Sequence, residues 1–541
     1  AAEPETEIAQ LDEETVILGT LFPHDPSSPA SLAKWQSNSP SDPGTGHCLI
    51  EKFWGSFLAF LFDGGRVHIL RSPFGTLPCL YTWCGAGIVL ASQPGLLRTF
   101  DGSGLSIDYA AVVRHLIERD MRHHSTCLAE IEELQGGEQL SVTPHHVSQR
   151  SLWTPRHYAT HPTQIPDIED EAAHLRDCVM QCVAQRTAGM HRPLLMLSGG
   201  LDSSIVAACL AQLGRDFLCF NAVTRDRAGN ELDQAASVAR HFGAGLVTEP
   251  FSADGMSFEK LAGLPLARPV ARTLEQHAYR LACATASRLG CDAILDGGGG
   301  DNVFCSLRSP AFAADCLLEE GAWKDFWPVC KTIAALARVP VWTVAWRAWL
   351  RAYGRGRSYD WPCERHLLSR HAASVADGSP DHPWLREAHR LLPGRSAHVA
   401  LLVAVQGYAE DGPHGFRRDA QSPLVSQPLI ENCLKISSRY WFARQNNRAM
   451  ARRAFARVLP SHIAWRRGKG APDSFVVQLV QDNAVAILAF LRSGLLAQAN
   501  VLDVPAISAI LSAPWTATGA DCSRIMRFVD TESWARAITA Q

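Results

Sequence analysis

The sequence lacks any uninterrupted apolar run of about 18 residues, which is the length that a membrane-spanning helix needs. The densest apolar stretch, Phe53–Phe62, is much shorter and is typical of a buried strand. We therefore expect no membrane partner.

An excess of charge of one sign is also missing. The chain has 51 Lys and Arg residues against 54 Asp and Glu residues, and its formal net charge is -3. Proteins that gain their affinity from nucleic-acid phosphates are usually strongly basic. We therefore expect no nucleic-acid partner.

The sixteen cysteines form no C-x-x-C pair, and most of them lie in apolar runs, as Cys209 and Cys219 do. This pattern predicts reduced core residues rather than disulfides or metal ligands. The first ten residues lack the charged and apolar regions of a signal peptide. Together these features predict a cytoplasmic protein.

The pattern of apolar residues changes along the chain. Residues 1 to about 105 hold short apolar runs separated by turn signals, which predicts a β-rich region. After a polar, proline-containing stretch at 157–170, strand-like and helix-like segments alternate, which is typical of a parallel sheet covered by helices. Residues 311–541 are mainly helical in pattern. We predict two domains, 1–160 and 170–541, the second with an α/β, doubly wound parallel sheet and a helical C-terminal part.

Protease and esterase motifs are missing, since there is no H-E-x-x-H and no G-x-S-x-G. What is present is a glycine-rich turn, SGGLDSS, between a strand pattern and a helix pattern. Its glycines let backbone N–H groups approach an anion, and the helix start favours negative charge. No lysine follows the glycines, so the turn is not a Walker A loop. We predict that this turn binds phosphate through its residues Ser198, Gly199, Gly200, Asp202, Ser203 and Ser204.

A second glycine-rich segment follows the strand pattern DAILD. It contains Gly297, Gly298, Gly299 and Gly300, followed by Asp301. Ligands of doubly wound sheets bind at the carboxyl ends of the strands, where both segments are predicted to lie. A carboxylate beside phosphates requires an intervening cation, so Asp202 and Asp301 are predicted Mg²⁺ ligands. Gly297, Gly298 and Gly299 are predicted to contact the nucleotide.

These two segments resemble the pyrophosphate loop and the second ATP and magnesium motif of the asparagine synthetase family. The resemblance extends to RSPFGTLPCLY (Arg71–Tyr81), which is similar to the family's N-terminal glutaminase-type (Ntn) domain, and to PLVSQPLIE and HIAWRRGKG in the C-terminal part. It implies that ATP is cleaved to AMP and pyrophosphate and that an amine attacks an acyl-adenylate. The implied cofactors are ATP and Mg²⁺.

Three departures from the family pattern bear on specificity. The family's glutaminase nucleophile is an N-terminal cysteine, whereas the first cysteine here is Cys48, so we expect an N-terminal domain without a nucleophile. Gly298 stands where ammonia-using members carry a glutamate, which favours a bulkier amine. The family's catalytic lysine corresponds to Lys469, displaced by one residue, with Arg467 as the second candidate. The resemblance implies that these two cations neutralise charge on the pyrophosphate and the adenylate; a solvated basic loop is the alternative.

Among the family, the chain is most similar to lasso-peptide cyclases, in the segment Trp54–Phe57 and in the GGGGDN and SQPL strings. This implies a precursor-peptide substrate whose Asp or Glu side chain is joined to the peptide's N-terminal amine. A leader peptidase and a leader-binding protein are implied partners. Two alternatives stay open: an asparagine- or β-lactam-type synthetase acting on a small molecule, and a non-catalytic nucleotide-binding scaffold.

Two further groups have less specific patterns. Arg272, Glu275 and His277 precede the second glycine-rich segment and are candidate substrate or proton-handling groups, with core packing or solvation as the alternative. Aromatic residues recur at helical spacing in 342–353, which predicts a buried core face or, alternatively, an apolar wall for a partner. These aromatic residues are Trp342, Trp346, Trp349 and Tyr353.

Overall fold

The computed structural model describes most of the chain. The described residues are 8–12, 14–25, 45–85, 87–101, 104–119, 121–143, 146–160, 167–224, 231–252, 265–270, 272–354, 359–375, 380–408, 420–466 and 473–540.

The N-terminal region is a β-sandwich, as the short apolar runs predict. One antiparallel sheet has the order β1-β2-β3-β4-β8-β9, and a smaller one has the order β6-β5-β7. The strands are Ile8–Asp12 (β1), Thr15–Pro23 (β2), Phe53–Asp63 (β3), Arg66–Arg71 (β4), Leu80–Cys84 (β5), Gly87–Ala91 (β6), Glu132–Glu133 (β7), Glu138–Thr143 (β8) and His146–Ser151 (β9). The helices of this region are Thr45–Lys52 (α1), Pro94–Asp101 (α2), Tyr109–Glu118 (α3) and Pro155–Thr160 (α4).

The central strand β3 is apolar on both sides because both of its faces are covered. Phe57 and Leu61 point into the largest core of the protein, while Leu58, between them in the strand, joins the apolar layer between the two N-terminal sheets. Successive side chains of a strand face opposite ways, so a strand buried on both faces has no polar alternation.

A five-stranded parallel sheet forms the centre of the second region, which confirms the predicted alternation of strands and helices. Its order is β12-β11-β10-β13-β14. Its strands are Leu194–Met196 (β10), Leu218–Thr224 (β11), Gly245–Phe251 (β12), Ile294–Leu295 (β13) and Ala420–Gln421 (β14). Its first helices are Ile168–Arg186 (α5), Leu201–Gln212 (α6), Leu232–His241 (α7) and Thr273–Leu289 (α8). The strand β14 was not predicted, because it lies in the polar string RRDAQSP, which lacks the apolar run that marks β13 in DAILD.

Helices cover both faces of this sheet. Leu195 and Cys219 share one core with residues of α6 and α7, whereas Leu194 and Phe220 pack with Ala282 and Cys283 of α8. The helix α6 is buried on all sides over its first ten residues, and its stretch from Ile205 to Leu210 is apolar throughout, as burial on every side requires. The sheet is therefore doubly wound, and its strand order reverses between β10 and β13.

The C-terminal part is helical, as predicted. Its helices are Gly300–Val303 (α9), Ala311–Leu318 (α10), Phe326–Ala337 (α11), Val341–Tyr353 (α12), Arg370–Val375 (α13), Pro383–Ala388 (α14), Pro393–Tyr408 (α15), Gln427–Lys435 (α16), Ala449–Phe455 (α17), Ser461–Ala464 (α18), Asp473–Asp482 (α19), Ala484–Arg492 (α20), Leu495–Gln498 (α21), Val504–Ser512 (α22) and Gly519–Thr539 (α23). In the described part of the chain no single helix has the length and apolar character of a membrane span, and two bent helix pairs meet that test only jointly.

The aromatic residues of α12 do not form the predicted core face. Trp342 is 70% exposed and Trp346 is 60% exposed, and Trp349 and Tyr353 are exposed as well. The buried face of α12 consists instead of Val344, Ala345, Ala348 and Ala352. These small side chains let α12 approach α10 and α11 closely, so the large aromatic side chains are left outside.

The two regions share an extensive contact. Trp54 and Phe57 of β3 lie in the same core as Val179 and Val183 of α5, and the Trp153 indole donates a hydrogen bond to Glu431 of α16 (2.8 Å). The division into domains 1–160 and 170–541 stays a prediction.

One buried histidine gives the fold a pH dependence that can be measured. His398 of α15 lies beneath α9, where its ring is 3.0 Å from the Val303 carbonyl, and burial lowers its pKa to about 4. The unfolded chain therefore binds a proton below about pH 6.5 that the folded chain refuses, so stability falls as the pH falls. At pH 5 this histidine costs about 2 kcal/mol of folding free energy.

We expect His398→Gln to lose that pH dependence. The difference in unfolding free energy between the wild type and this variant, from urea titrations, will shrink by about 2 kcal/mol between pH 7 and pH 5. His371→Gln, at an exposed position of α13, serves as the control for replacing a histidine by glutamine. An equal pH response of His398→Gln and the wild type would contradict this assignment.

Candidate functional site

The first glycine-rich turn connects β10 to α6 at the point where the strand order reverses. Gly199 has a φ of +69°, and a side chain there would lie 2.6 Å from the Ala235 backbone nitrogen of α7. Only glycine combines that backbone conformation with such a close approach. Gly200 is the N-cap of α6, so the first N–H groups of this helix lie beside the turn. The turn thus has the backbone geometry of an anion site.

The three serines of the turn have different partners. The hydroxyls of Ser198 and Ser203 lie 3.2 Å apart, and the Gly200 N–H donates to the Ser198 hydroxyl at 3.2 Å. The Ser204 hydroxyl donates to the Gly200 carbonyl at 2.6 Å and is fully buried. The Ser204 hydroxyl is thus already engaged as a hydrogen-bond donor within the helix. The hydroxyls of Ser198 and Ser203 lie at the turn itself. The role of all three as phosphate ligands stays a prediction.

The second glycine-rich segment follows β13 and lies against the first. A side chain at Gly297 would come within 2.4 Å of the Ser203 backbone nitrogen, and one at Gly300 within 2.8 Å of the Asp202 side chain. Gly299 has a φ of +71° and caps the short helix α9. The two segments, distant in sequence, therefore form one continuous surface.

A buried aspartate that the sequence did not single out shapes this second segment. Asp296 accepts hydrogen bonds from the Gly298 N–H (2.8 Å) and the Ser422 hydroxyl (2.6 Å), and the Tyr279 hydroxyl also donates to it. Its position directly before the four glycines was the available signal. Asp296 holds the backbone of Gly298 in place from behind.

The two predicted metal ligands come together on one cation. Nη1 of Arg448 lies 2.7 Å from Oδ2 of Asp202 and also contacts Oδ1 of Asp301. Burial alone would lower the pKa of Arg448, but the two carboxylates outweigh it and raise that pKa. Asp202 is buried, and the Asp301 side chain is 42% exposed. The structure thus places both carboxylates around one position for positive charge.

This arrangement suits a divalent cation that also binds phosphate. Among the residues that the structure describes, no cluster of three or more His, Cys, Asp or Glu side chains could hold a metal ion. Mg²⁺ is commonly held by one or two carboxylates, with phosphate oxygens and water completing the octahedron. Asp202 and Asp301 fit that pattern, with the Arg448 guanidinium supplying the compensating charge between them.

Arg448 itself was not predicted, because it is one of several arginines in a helical pattern. It precedes α17 and has a φ of +53°, which is uncommon for a residue with a side chain. Such backbone conformations are retained where the surrounding contacts demand them. The only sequence signal was the pair Asn446–Asn447 before it, since asparagine favours turns.

The remaining sequence candidates are Lys469, Arg467, Arg272, Glu275 and His277, of which the last three lie in the described part of the chain. Lys469 and Arg467 lie outside the described residues, and their catalytic roles stay predictions. Their neighbour Arg466 pairs with Glu231 at 3.1 Å, at the N-terminal end of α7. His277 lies against the Phe251 ring with ring centroids 5.3 Å apart, and Arg272 pairs with Glu275 at 3.1 Å.

The close contact of the two glycine-rich segments can be tested by adding one methyl group. We expect Gly297→Ala to lower the free energy of unfolding by about 1–3 kcal/mol, because backbone atoms must shift. It will also weaken binding of pyrophosphate with Mg²⁺, measured by isothermal titration calorimetry. The matched control is Gly189→Ala, where the added methyl meets no atom within 4 Å. Unchanged stability and binding in Gly297→Ala would refute the contact.

The shared cation position can be tested through Arg448. We expect Arg448→Met to destabilise the protein by about 3 kcal/mol, because two carboxylates lose their compensating charge. Millimolar Mg²⁺ will raise the melting temperature of this variant more than that of the wild type, since a divalent cation can replace the guanidinium. The double variant Asp202→Asn/Arg448→Met will lose most of that response. An Mg²⁺ effect of equal size in all three proteins would exclude this site.

A search of curated proteins finds no match. Among solved structures, the glutamine phosphoribosylpyrophosphate amidotransferase from B. subtilis, complexed with ADP and GMP, is 11% identical, and the match covers 55% of this chain and 64% of that chain. The TM-score is 0.15, a similarity too low to bear on the fold.

A family model also matches the chain. The asparagine synthase model aligns with residues 174–536, which is more than half of the chain and includes both glycine-rich segments, Asp202, Asp301 and Arg448. Membership points to ATP-dependent formation of amide bonds by a ligase. On this match, the chain belongs to the asparagine synthase family.

Proposed function

We propose that the protein is an ATP-dependent lasso-peptide cyclase. It transfers AMP to an Asp or Glu side chain of a precursor peptide and releases pyrophosphate. The peptide's N-terminal amine then attacks the acyl-adenylate, so that a macrolactam forms and AMP leaves. The observation that carries the ATP-dependent step is the meeting of the two glycine-rich segments where the strand order reverses, with Asp202 and Asp301 around one cation position.

The described residues have distinct tasks in this proposal. Gly199, Gly200 and the start of α6 supply backbone N–H groups to the phosphates, and Ser198 and Ser203 add hydroxyls. Gly297, Gly298 and Gly299 let the nucleotide approach the backbone, which Asp296 holds from behind. Asp202 and Asp301 would hold Mg²⁺, which supplies charge neutralisation for the departing pyrophosphate.

Arg448 keeps the two carboxylates together when no metal is bound. Without a cation, Asp202 and Asp301 would repel each other in a partly buried place. A guanidinium that already contacts both preserves their spacing, so little reorganisation is needed when nucleotide and metal arrive. Preorganised charge of this kind is usually the largest contribution to stabilising a transition state.

The amine step makes modest demands on the protein. A peptide α-amine has a pKa of about 8, so on the order of a tenth is neutral at pH 7 without a general base. Ring closure is intramolecular and gains from a pocket that orients the peptide. Lys469 and Arg467 are proposed to neutralise charge on the adenylate and the pyrophosphate. At Gly298, the absence of a carboxylate side chain favours a peptide amine over ammonia.

The N-terminal β-sandwich is proposed as a glutaminase-type domain, and Cys48 lies inside its helix α1. The sandwich contributes side chains to the contact with the synthetase region. A leader peptidase and a leader-binding protein are the proposed partners.

The test is ATP–pyrophosphate exchange with Mg²⁺ and a leaderless precursor peptide. We expect exchange that depends on the peptide, and a product lighter than the peptide by one water, detected by mass spectrometry. Asp202→Asn, which keeps the side-chain volume, will reduce exchange by at least about 100-fold, because a metal ligand and charge are lost.

The other outcomes decide between the alternatives. Exchange with free aspartate or another small acid, but not with peptide, would indicate a small-molecule synthetase. Absence of exchange with every acid, although ATP binds, would indicate a nucleotide-binding scaffold. Either result would overturn the cyclase proposal.

A further inference from the structure

A cavity of about 270 Å³ lies between the N-terminal sandwich and the synthetase region. Its walls come from the end of α3 and the residues after it, from residues 268–270 and Arg272, from α9 and α15, and from α23. Its size is near the lower end of the roughly 300–1,000 Å³ typical of small-molecule sites. It suits a group the size of an amino acid rather than a whole peptide.

The walls of the cavity carry positive charge. Among the described residues that line it there are five guanidiniums and a single carboxylate, that of Asp530. The five guanidiniums belong to Arg119, Arg122, Arg268, Arg272 and Arg527.

The carboxylates behind these arginines are shared. Glu133 is fully buried and contacts Arg71, Arg122 and Arg268 at once. Burial alone would raise the pKa of Glu133, but the three guanidiniums lower it far below its usual range. Among the described contacts, one buried carboxylate faces three guanidiniums, so the described residues of this group carry a net positive charge beside the cavity.

The opposite wall repeats this imbalance. Glu364 is 2.8 Å from Arg527, 3.8 Å from Arg119 and 3.9 Å from the fully buried Arg524. Asp530 accepts hydrogen bonds from the backbone N–H and the hydroxyl of Thr273, at 2.9 and 2.5 Å. Burial raises the pKa of Asp530 to about 6, so this single carboxylate of the cavity wall keeps most of its negative charge at pH 7 and loses it only at lower pH.

The cavity adjoins the proposed adenylation site. Asn302, which lines it, directly follows Asp301, and its side-chain amide donates to the Leu401 carbonyl at 2.8 Å. Val405, also in the wall, lies 2.9 Å from the position that a side chain on Gly299 would take. A group bound in the cavity is therefore separated from the second glycine-rich segment by a single layer of residues.

We propose that this cavity binds a carboxylate of the peptide substrate, held by Arg119 and Arg527 at the rim and by Arg122 and Arg268 beneath. Guanidiniums match the geometry of a carboxylate through paired N–H donors. This assignment takes its substrate, a precursor peptide, from the proposed function and rests on it in that respect. It adds that the cavity between the two regions selects peptides with an acidic group. A phosphate has similar chemistry, so the experiment must separate a carboxylate from a nucleotide phosphate.

The probes are N-acetyl-aspartate and its neutral analogue N-acetyl-asparagine, each with the α-carboxylate blocked as a methylamide, together with inorganic phosphate, titrated into the full chain by calorimetry. We expect N-acetyl-aspartate to bind and N-acetyl-asparagine not to bind. Arg119→Gln and Arg527→Gln will each weaken N-acetyl-aspartate by about ten-fold, the effect of losing one charged hydrogen bond. These two side chains are 39% and 29% exposed, so their variants will fold, whereas Arg268 is buried with Glu133.

The matched control is Arg288→Gln. Arg288 is an exposed residue at the C-terminal end of α8, away from the cavity, and it pairs with Glu249 of β12. The affinity of this variant for N-acetyl-aspartate will equal that of the wild type. Equal affinities in all four proteins would overturn the proposal. Tighter binding of phosphate than of N-acetyl-aspartate, with the same dependence on Arg119 and Arg527, would also overturn it in favour of a nucleotide phosphate.

The same variants separate this inference from the proposed function. In ATP–pyrophosphate exchange, Arg119→Gln and Arg527→Gln will raise the KM for the peptide by about ten-fold and leave the KM for ATP unchanged. Suppose that the wild type shows no peptide-dependent exchange, and that the wild type binds N-acetyl-aspartate whereas the two variants do not. The cyclase function then fails and the carboxylate site stands. If exchange occurs and its KM for peptide is unaffected, the carboxylate site fails and the cyclase function stands.

Discussion

The contact between Gly297 and the start of α6 is the constraint on which the candidate site depends. The turn after β10 and the turn after β13 come so close that a single methyl group at Gly297 would collide with the Ser203 backbone. This proximity follows from the sheet, since β10 and β13 are neighbours although about a hundred residues separate them. It brings Asp202 and Asp301 within reach of one cation, and that position is taken by Arg448 from the beginning of α17.

A second set of charges couples the two regions of the molecule. Glu133 belongs to the N-terminal sandwich, and Arg268 comes from the segment that leads into α8. A buried carboxylate is tolerated only when hydrogen-bonded cations surround it, and removal of one partner leaves an uncompensated charge. The contact thus favours one relative placement of the two regions. The cavity lies beside this contact, and several of the same arginines line its walls. The relative placement of the two regions therefore determines which charged groups the cavity can bind.

The exposed aromatic face of α12 shows how packing can reverse a pattern. Large apolar residues at helical spacing normally indicate a buried face. In α12 the small residues on the opposite side are buried, because alanines allow neighbouring helices to approach closely. The spacing was the same for both faces, so periodicity alone could not choose between them.

The sequence by itself determined the alternation of strands and helices from β10 to β13, the two glycine-rich turns and the meeting of Asp202 with Asp301. These follow from local rules: apolar periodicity, glycine where the backbone must turn, and the common edge at which parallel strands end. Only the tertiary structure decided that Arg448 lies between the two aspartates, that Asp296 supports Gly298, and that five arginines from distant segments line one cavity. Such long-range encounters depend on how helices pack, which no local pattern records.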